Sequence, residues 1–458
     1  MGIDNFINRL KSIVGEKHVL LNKEDLLTYM QDASYFEGNQ PIAVVSPRTA
    51  NEVSEILKLC NEYGVPVYTR GGGTSLTGAS TPLDGIVLNM GRFDKIIEVN
   101  IRDRYTVAES GVRIDDLNLM LSQYNYIYPI DPGSSLAATI GGTIALNAGG
   151  IRGVRYGSTK EWILGLEVVL PNGEIVEFGE RTLKRSIGYD LTALMVGSEG
   201  TLGVITKAIL KITPLQVYAS MILLYYDSAE SVSDAIGLLN ENGLIPIVAE
   251  FVNKKGAELS LKRVSEEYYE KNANWVLMIL IEDPDKALKI LSQTNPLMYK
   301  KVNDKNEIDK LFIARKRIRS VLIELEDTKN KVDVSGDIVV PPSQLGYILK
   351  ELEDAMSKYG FKNYSMQGHI GDGNIHWDVF YDLNTQKDIL KSFTMETAMM
   401  AVKHNGCISA EHGIGMEKKE ALVEEFKYKN TLYNLELYRG IKKVFDPNGI
   451  MNRGKLFD

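Results

Sequence analysis

The chain has 458 residues, of which 44% are hydrophobic and 24% charged, with a net charge of −8 and two cysteines. This length is too great for a single hydrophobic core and predicts two or three domains. The acidic balance excludes a partner such as nucleic acid, and two cysteines exclude a disulfide framework or a thiolate metal site.

The N-terminal third is predicted to alternate strands and helices after an initial helical region, residues 1–36. No basic segment leads into an apolar run, and no run reaches the roughly 20 residues of a membrane span. We therefore expect a cytoplasmic protein, with peripheral attachment to a membrane left open. Strands are predicted at 42–45, 65–68, 85–89, 95–99 and 105–109, and helices at 49–64 and 114–124.

Glycine and small polar residues are concentrated in four separate loops of this region. The first is Arg70-Gly-Gly-Gly-Thr-Ser-Leu-Thr-Gly78, and the others are Asp131–Ser134, Gly141–Gly150 and Gly197–Gly203. Consecutive glycines expose backbone N–H groups that can form an anion-binding nest. The first loop matches neither a dinucleotide fingerprint nor a P-loop. One such loop alone is typical of a flexible surface, but four predict that the chain wraps one extended, phosphate-bearing ligand.

A hairpin is predicted at 163–178 through Pro171-Asn172-Gly173, followed by a helix at 190–196 and a strand ending at Pro214. After Pro214 the glycine-rich loops disappear, which predicts a second, α+β domain. Its predicted strands are 217–225, 246–251, 275–281, 336–340 and 364–367. Its predicted helices are 229–241, 284–293, 305–325 and 343–359, and the tail adds helices at 385–404 and 430–444.

Three of the five histidines fall in two short segments, His369-Ile-Gly-Asp-Gly-Asn-Ile-His376 and Glu411-His412. An odd separation would place His369 and His376 on opposite faces of a straight strand, but the intervening turn allows their rings to converge. Imidazole and carboxylate ligands with an open position suit a divalent metal ion. The alternative is a structural role, which we assign to His18 and His404.

Three of the glycine-rich loops, Arg70–Gly78, Asp131–Ser134 and Gly197–Gly203, together resemble the flavin-binding domain of the vanillyl-alcohol oxidase/p-cresol methylhydroxylase (PCMH) family. Within that family, the chain resembles the FAD-linked D-2-hydroxyacid dehydrogenases over nearly its whole length. The resemblance implies an α+β fold: a two-part PCMH-type FAD-binding domain, an α+β substrate-binding cap domain with an antiparallel sheet, and a helical C-terminal segment. The implied boundaries are 1–214, 215–405 and 406–458.

The resemblance also implies FAD as the cofactor. Covalent members often carry histidine at the position of Thr74, so the FAD here is expected to be non-covalent. The residues implied to contact FAD are Arg70, Gly71, Gly72, Gly73, Thr74, Ser75, Gly78, Pro129, Asp131, Gly133, Ser134, Gly141, Gly142, Asn147, Gly149, Gly150, Glu199, Gly200, Gly203, Ile205 and Asn452.

The resemblance further implies a divalent metal, Zn²⁺ or Mn²⁺, held by His369, His376 and Glu411. His412 is implied as the catalytic base and Arg315 as the anchor of the substrate carboxylate, with hydride transfer from a small 2-hydroxy acid to flavin N5. A quinone, a cytochrome or an electron-transfer flavoprotein would then accept the electrons.

Several alternatives stay open. Lys331 cannot be matched securely to a lysine that holds a second substrate carboxylate in some relatives, which leaves a D-2-hydroxyglutarate substrate in doubt. A flavin-binding subunit of a larger complex is a non-enzymatic alternative. A non-redox alkylglycerone-phosphate synthase is disfavoured because the chain has no run of histidines. A homodimer is compatible with the sequence.

Overall fold

A computed structural model describes residues 2–215, 219–325 and 331–457. The chain forms two compact units, and each is discontinuous in sequence. Unit 1 contains residues 1–149, 158–215 and 411–458, whereas unit 2 contains residues 150–157 and 216–410. The short segment 150–157 thus leaves unit 1 and returns to it.

The described strands are β1 (Val19–Leu20), β2 (Ala43–Val45), β3 (Val67–Arg70), β4 (Ile86–Asn89), β5 (Ile96–Asn100), β6 (Tyr105–Glu109), β7 (Tyr126–Ile127), β8 (Ile163–Val169), β9 (Ile175–Gly179), β10 (Val204–Lys211), β11 (Thr213–Pro214), β12 (Ser220–Tyr226), β13 (Val248–Asn253), β14 (Trp275–Ile281), β15 (Met298–Val302), β16 (Lys331–Val339), β17 (Tyr364–Gly368) and β18 (Asn374–Asp382).

The described α-helices are α1 (Ile3–Val14), α2 (Lys23–Leu27), α3 (Ala50–Tyr63), α4 (Ile114–Ser122), α5 (Ile140–Leu146), α6 (Gly153–Tyr156), α7 (Leu191–Met195), α8 (Ala229–Glu241), α9 (Lys254–Leu259), α10 (Leu261–Val264), α11 (Pro284–Leu291), α12 (Lys305–Lys316), α13 (Ile318–Leu325), α14 (Leu345–Lys358), α15 (Leu383–Lys403), α16 (Lys419–Tyr428) and α17 (Tyr433–Phe445). None of these helices is both long enough and apolar enough to cross a bilayer.

Unit 1 is built on two main sheets. The first has the order β1-β2-β4-β3, in which β2, β4 and β3 are parallel. Helix α3 makes the crossover from β2 to β3. It begins where the Thr49 hydroxyl accepts a hydrogen bond from Glu52 N, and it ends at Gly64, whose φ of 66° is left-handed. The parallel strands bury Val45, Ile86 and Val67 against α1 and α3.

The second sheet of unit 1 is antiparallel, with the order β5-β6-β10-β8-β9. The predicted hairpin at 163–178 is confirmed as β8 and β9, and Gly173 takes the left-handed φ of 85° in its turn. Helices α4 and α5 pack Leu117 and Ile144 against this sheet. The first glycine-rich loop follows β3 of the first sheet, and the fourth precedes β10 of the second.

Unit 2 is built on one antiparallel sheet of seven strands, with the order β15-β12-β14-β13-β17-β18-β16. One face of this sheet packs Val252 and Met278 against α12 and α13, which contribute Ile308, Leu311 and Ile318. The antiparallel sheet and its helices agree with the predicted α+β character of this part of the chain.

Three predicted elements are wrong in detail. Residues 1–36 are not one helical region, because Gly15 at a φ of 84° ends α1 and the chain forms β1 before α2. The helix predicted at 305–325 is interrupted at Arg317, so that Arg315 and Arg319 lie on separate helices. Strands β15 and β18 lie where no strand was predicted.

Candidate functional site

The first glycine-rich loop of unit 1 is pressed against the segment that precedes α5. A Cβ atom on Gly72 would lie 2.0 Å from the carbonyl oxygen of Ala137, and one on Gly71 would lie 2.3 Å from Thr139 Oγ1. Gly73 adopts a left-handed φ of 66°. These glycines are therefore required by close backbone approach, which leaves a bare backbone strip of the kind that accommodates phosphate.

Arg70 does not extend along this loop. Its guanidinium donates a 2.9 Å hydrogen bond to Gln31 O and lies over the Tyr29 ring, with 5.4 Å between Cζ and the ring centroid. Burial lowers the pKa of this guanidinium. The structure thus directs Arg70 to residues 29–31, where it supports the loop from beneath Gly73.

The third loop begins inside α5. Gly141 N donates a 2.7 Å hydrogen bond to Ser110 O, and Gly142 N donates to the Thr139 cap at 3.3 Å. Asn147 ends the helix with a left-handed φ of 51°. In contrast, a Cβ on Gly133 would contact nothing within 4 Å, so no steric requirement for glycine exists there.

The fourth loop is tied to the segment that follows His412. Glu199 accepts hydrogen bonds from Ile414 N at 2.7 Å and Gly415 N at 2.8 Å, and its own N donates to Ala145 O. Burial raises the pKa of this carboxyl to about 7, although the two backbone N–H groups oppose the shift. The Glu199 side chain, which is predicted to contact FAD, therefore binds the backbone of residues 414–415.

The C-terminal residues close the same region of unit 1. Asn452 Nδ2 donates to Ala79 O at 3.0 Å and Glu199 O at 2.5 Å. Lys455, whose pKa burial lowers to about 8, donates to Gly78 O at 2.8 Å and Thr81 O at 2.7 Å. Ile205, in contrast, lies in β10 with its side chain in the core of the second sheet.

The described residues of unit 1 therefore fit an extended dinucleotide. Loops separated by as much as 377 residues of sequence are brought together by direct contacts between Gly71 and Thr139, Gly78 and Lys455, and Glu199 and Asn452. Glycine-rich loops packed this closely carry bare backbone N–H groups of the kind that bind a pyrophosphate. Gly150, which is also predicted to contact FAD, is part of unit 2.

In unit 2, the turn at 370–373 brings His369 and His376 together as predicted. Their ring centroids lie 5.3 Å apart with the rings nearly perpendicular, and one ligand nitrogen of each lies within 4.8 Å of the other. The turn requires glycine, because a Cβ on Gly373, where φ is 85°, would lie 1.9 Å from Val340 O. A Cβ on Gly371 would lie 2.4 Å from the Val154 side chain.

The hydrogen bonds of the two histidines define which ring nitrogen is available. His376 Nδ1 lies 3.2 Å from the carbonyl oxygen of Gly336, and His369 Nδ1 lies 2.5 Å from Glu250 Oε1. A carbonyl oxygen and a carboxylate oxygen only accept, so both Nδ1 atoms carry the proton. In this tautomer, Nε2 is the ring nitrogen that can serve as a metal ligand, and two imidazole nitrogens suit a transition-metal ion.

Arg315 belongs to the same buried group. Its Nη2 lies 2.9 Å from Glu250 Oε2, and the Arg315 and Glu250 side chains are 9% and 0% exposed. Within the described part of the chain, Arg315 Nε and Nη2 make no well-aligned hydrogen bond. The guanidinium thus pairs with one carboxylate and retains donors for a second anion.

Asp337 fixes the chain next to this group. It pairs with His376 across β16 and β18, and its Oδ1 accepts from Asn374 Nδ2 at 2.9 Å. Its Oδ2 accepts from Ser409 Oγ at 2.8 Å and Ala410 N at 2.9 Å. The last residues of unit 2 are therefore held beside the strand pair that carries His376.

Glu411 and His412 begin the final segment of unit 1. A Cβ on Gly149 would lie 2.8 Å from Glu411 Oε2, and His412 O accepts a 3.2 Å hydrogen bond from Thr77 Oγ1. Met416 N donates to Thr77 O at 2.8 Å. Within unit 1, the predicted ligand and the predicted base thus lie against two of the glycine-rich loops.

Two residues of this arrangement, Glu250 and Asp337, were missed by reasoning from the sequence. A signal for Glu250 was available, because it is the one charged residue in β13, Val-Ala-Glu-Phe-Val-Asn, where every position is buried. A buried carboxylate in such a strand requires a partner. Asp337 gave a weaker signal, since it lies in a strand of ordinary composition.

Known proteins resemble the whole chain. Residues 41–179 match the FAD binding domain, and residues 216–456 match the C-terminal domain of FAD linked oxidases. Glycolate oxidase subunit GlcD of Bacillus subtilis is 32% identical over 94% of this chain and 92% of its own length. D-lactate dehydrogenase of Archaeoglobus fulgidus is 33% identical over 93% of this chain and 95% of its own length.

The fold is that of a solved flavoprotein. The crystal structure of p-cresol methylhydroxylase with substrate bound superposes with a TM-score of 0.78 at 17% identity, covering 99% of this chain and 97% of that one. The predicted α+β architecture with a PCMH-type FAD-binding domain is confirmed by this likeness and by the two domain matches.

Proposed function

The chain belongs to the FAD-linked oxidase family and is an oxidoreductase, and we propose that it oxidises a D-2-hydroxy acid to the 2-oxo acid. The observation that carries the proposal is the buried group in unit 2, where His369 and Arg315 share the Glu250 carboxylate and the His376 ring packs against that of His369. Two metal-ligating nitrogens and one carboxylate-binding guanidinium match the two oxygen functions of a 2-hydroxy acid.

The proposed metal ligands are His369, His376 and Glu411, with Zn²⁺ or Mn²⁺ as the ion. A divalent ion at these ligands would lower the pKa of a bound hydroxyl.

The substrate carboxylate is assigned to Arg315. The guanidinium is buried, so its charge is weakly screened, and Glu250 neutralises it in the absence of substrate. A bidentate pair with a carboxylate would fix the orientation of the Cα–H bond as well as supply affinity. Lysine could supply the charge at this position but not the planar fork.

His412 is the proposed general base. It would accept the hydroxyl proton as the O–H bond breaks, while the electron pair of the Cα–H bond leaves and the C=O bond forms. FAD, when bound at the glycine-rich loops, supplies the two-electron acceptor for this step. Thr77 fixes the backbone of His412 through its carbonyl oxygen, which supports a defined position for the imidazole.

The substrate proposed is of the lactate or glycolate type, with D-2-hydroxyglutarate or a longer 2-hydroxy acid as the alternative. Lys331 stands six residues before Asp337 in the sequence, so we do not assign it as a lysine that holds a second substrate carboxylate. A quinone, a cytochrome or an electron-transfer flavoprotein is proposed to reoxidise the flavin.

The test is a substrate panel read by reduction of an artificial dye under steady-state turnover. It contains D-lactate, glycolate, D-2-hydroxyglutarate and longer D-2-hydroxy acids, with the L enantiomer of each chiral member as its matched control. The proposal expects the highest kcat/KM with a short D-2-hydroxy acid. Preference for a dicarboxylate would overturn the substrate assignment, and no turnover with any member would overturn the function.

A further inference from the structure

Glu250 lies at the centre of the buried group in unit 2 and has no role in the proposal above. It is in the middle of β13, opposite Met278 of β14, and is completely buried. Phe251 and Val252 pair with Gly368 and Gln367 of β17, so β13 runs directly beside the strand that leads into His369. Its carboxylate is therefore placed by the sheet rather than by a mobile loop.

Both oxygens of this carboxylate are directed at residues of the proposed site. Oε1 lies 2.5 Å from His369 Nδ1, and Oε2 lies 2.9 Å from Arg315 Nη2. A buried carboxylate is costly unless it is paired and hydrogen-bonded. Glu250 thus has the two partners that its burial requires, and each is a side chain to which the reaction assigns a different task.

The contact to His369 selects a tautomer. With the proton on Nδ1 and directed at Oε1, the Nε2 lone pair faces away from Glu250, and the ring cannot rotate without losing this bond. Carboxylates that hold the second nitrogen of a metal-ligating histidine also increase the basicity of the ligating nitrogen. His376 Nδ1 instead lies 3.2 Å from the Gly336 carbonyl oxygen, and the carboxylate oxygen Oδ1 of Asp337 is 3.8 Å away.

The contact to Arg315 holds the guanidinium at one edge. Of its five N–H donors, the Glu250 pair occupies the Nη2 side, and the remaining donors are left for another anion. One carboxylate therefore sets the position of the metal ligand and of the carboxylate anchor at the same time. The distance between the two oxygens of Glu250 fixes the spacing between these two functions.

We propose that Glu250 is the positioning residue that sets both the metal affinity of His369 and the orientation of Arg315. The inference rests on the proposed function, because it takes His369 as a metal ligand and Arg315 as the substrate anchor. It adds a residue that touches neither substrate nor metal and acts through two others. Removing its charge should weaken metal binding and carboxylate binding together.

The first experiment measures Zn²⁺ affinity of the FAD-containing protein by competition with a chromophoric chelator. Glu250→Gln keeps the size of the side chain and removes its charge, and we expect about a 10- to 100-fold loss of affinity. The matched control is Glu282→Gln, since Glu282 pairs with Arg155 at 2.8 Å in the same unit but contacts no described histidine. The control should bind Zn²⁺ as the wild type does.

A double-mutant cycle separates positioning from general structural damage. If Glu250 acts through His369, the loss of Zn²⁺ affinity caused by Glu250→Gln should disappear when His369 is already alanine. The variant Glu250→Gln/Arg315→Met covers the case in which an unpaired Arg315 unfolds the protein, because it removes the uncompensated charge. It should show the same loss of Zn²⁺ affinity.

The second experiment measures the binding of oxamate, an unreactive carboxylate, through the perturbation of the flavin absorbance. Glu250→Gln should weaken oxamate binding at least fivefold. Wild-type Zn²⁺ affinity in both Glu250→Gln and Glu250→Gln/Arg315→Met would overturn the inference while leaving the proposed function intact. A wild-type protein that binds no Zn²⁺ would overturn the metal site itself, which is a different result.

Discussion

The steric requirement for glycine at residue 72 gives a quantitative prediction for cofactor binding. In Gly72→Ala, the new Cβ would lie 2.0 Å from Ala137 O, so the two loops must separate by about 1 Å to restore contact. Overpacking of this size costs about 1–3 kcal/mol. The free loop relieves the strain by moving, whereas the FAD-bound loop must hold its position, so FAD affinity should fall about 5- to 150-fold.

The assay is a titration of apoprotein with FAD, followed by quenching of flavin fluorescence. The matched control is Gly133→Ala, in another loop predicted to contact FAD, where a Cβ meets nothing within 4 Å. This control should bind FAD with wild-type affinity. Equal losses in the two variants, or wild-type affinity in Gly72→Ala, would refute the reasoning that backbone approach at residue 72 forms the cradle.

Three further predictions concern single side chains. Because burial raises the Glu199 pKa from 4.5 to about 7, the folded state binds this proton more tightly than the unfolded state, and the stabilisation is lost as pH rises from about 4.5 to 7. The unfolding free energy of wild type minus that of Glu199→Gln should fall by about 3 kcal/mol over this range in denaturant titrations, and a constant difference would contradict the assignment. His412→Ala should retain FAD but lose flavin reduction, as measured by stopped-flow absorbance; normal reduction would exclude His412 as the base. Arg315→Lys should raise KM for the hydroxy acid about tenfold or more because the bidentate fork is lost, whereas an unchanged KM would assign the carboxylate elsewhere.

The glycine-rich loops of unit 1 can be predicted from the sequence because their backbone geometry permits glycine and few other residues. Gly71 and Gly72 are required by close approach to other backbone, and Gly64 and Gly173 by a left-handed φ. Such positions tolerate few other residues, so these loops can be recognised from the sequence alone by their glycines. The same holds for the turn between His369 and His376, where Gly373 is required for the same reasons.

Other features depend on tertiary contacts that leave little local signal. Gly15 ends α1 although the apolar spacing of residues 1–36 favours a longer helix, and the break at Arg317 separates Arg315 from Arg319. Strand β18 was not predicted, because its glycine-containing turn draws attention to the histidines rather than to the pattern that follows. The role of Glu250 follows from its contacts with Arg315 and His369, which are 65 and 119 residues away in sequence and cannot be read from its neighbours.

The arrangement of unit 2 also explains why the site residues are few. Glu250 pairs with both His369 and Arg315 in a buried group, the His376 ring packs edge to face on that of His369, and Asp337 holds the chain beside His376 through Ala410. Each of these side chains has a defined neighbour that fixes its orientation. Preorganisation of this kind is what a site needs if it is to align a C–H bond for transfer.

The central claim is that the chain transfers a hydride from a 2-hydroxy acid to its FAD, and anaerobic flavin reduction tests it most directly. Purified holoprotein is mixed with D-lactate, or the best substrate of the panel, in a stopped-flow instrument without an electron acceptor. If the hydride is transferred to FAD, the oxidised flavin spectrum should bleach in one turnover, and bleaching should be slower when the Cα hydrogen is replaced by deuterium. An oxidised spectrum that persists with every 2-hydroxy acid would contradict hydride transfer.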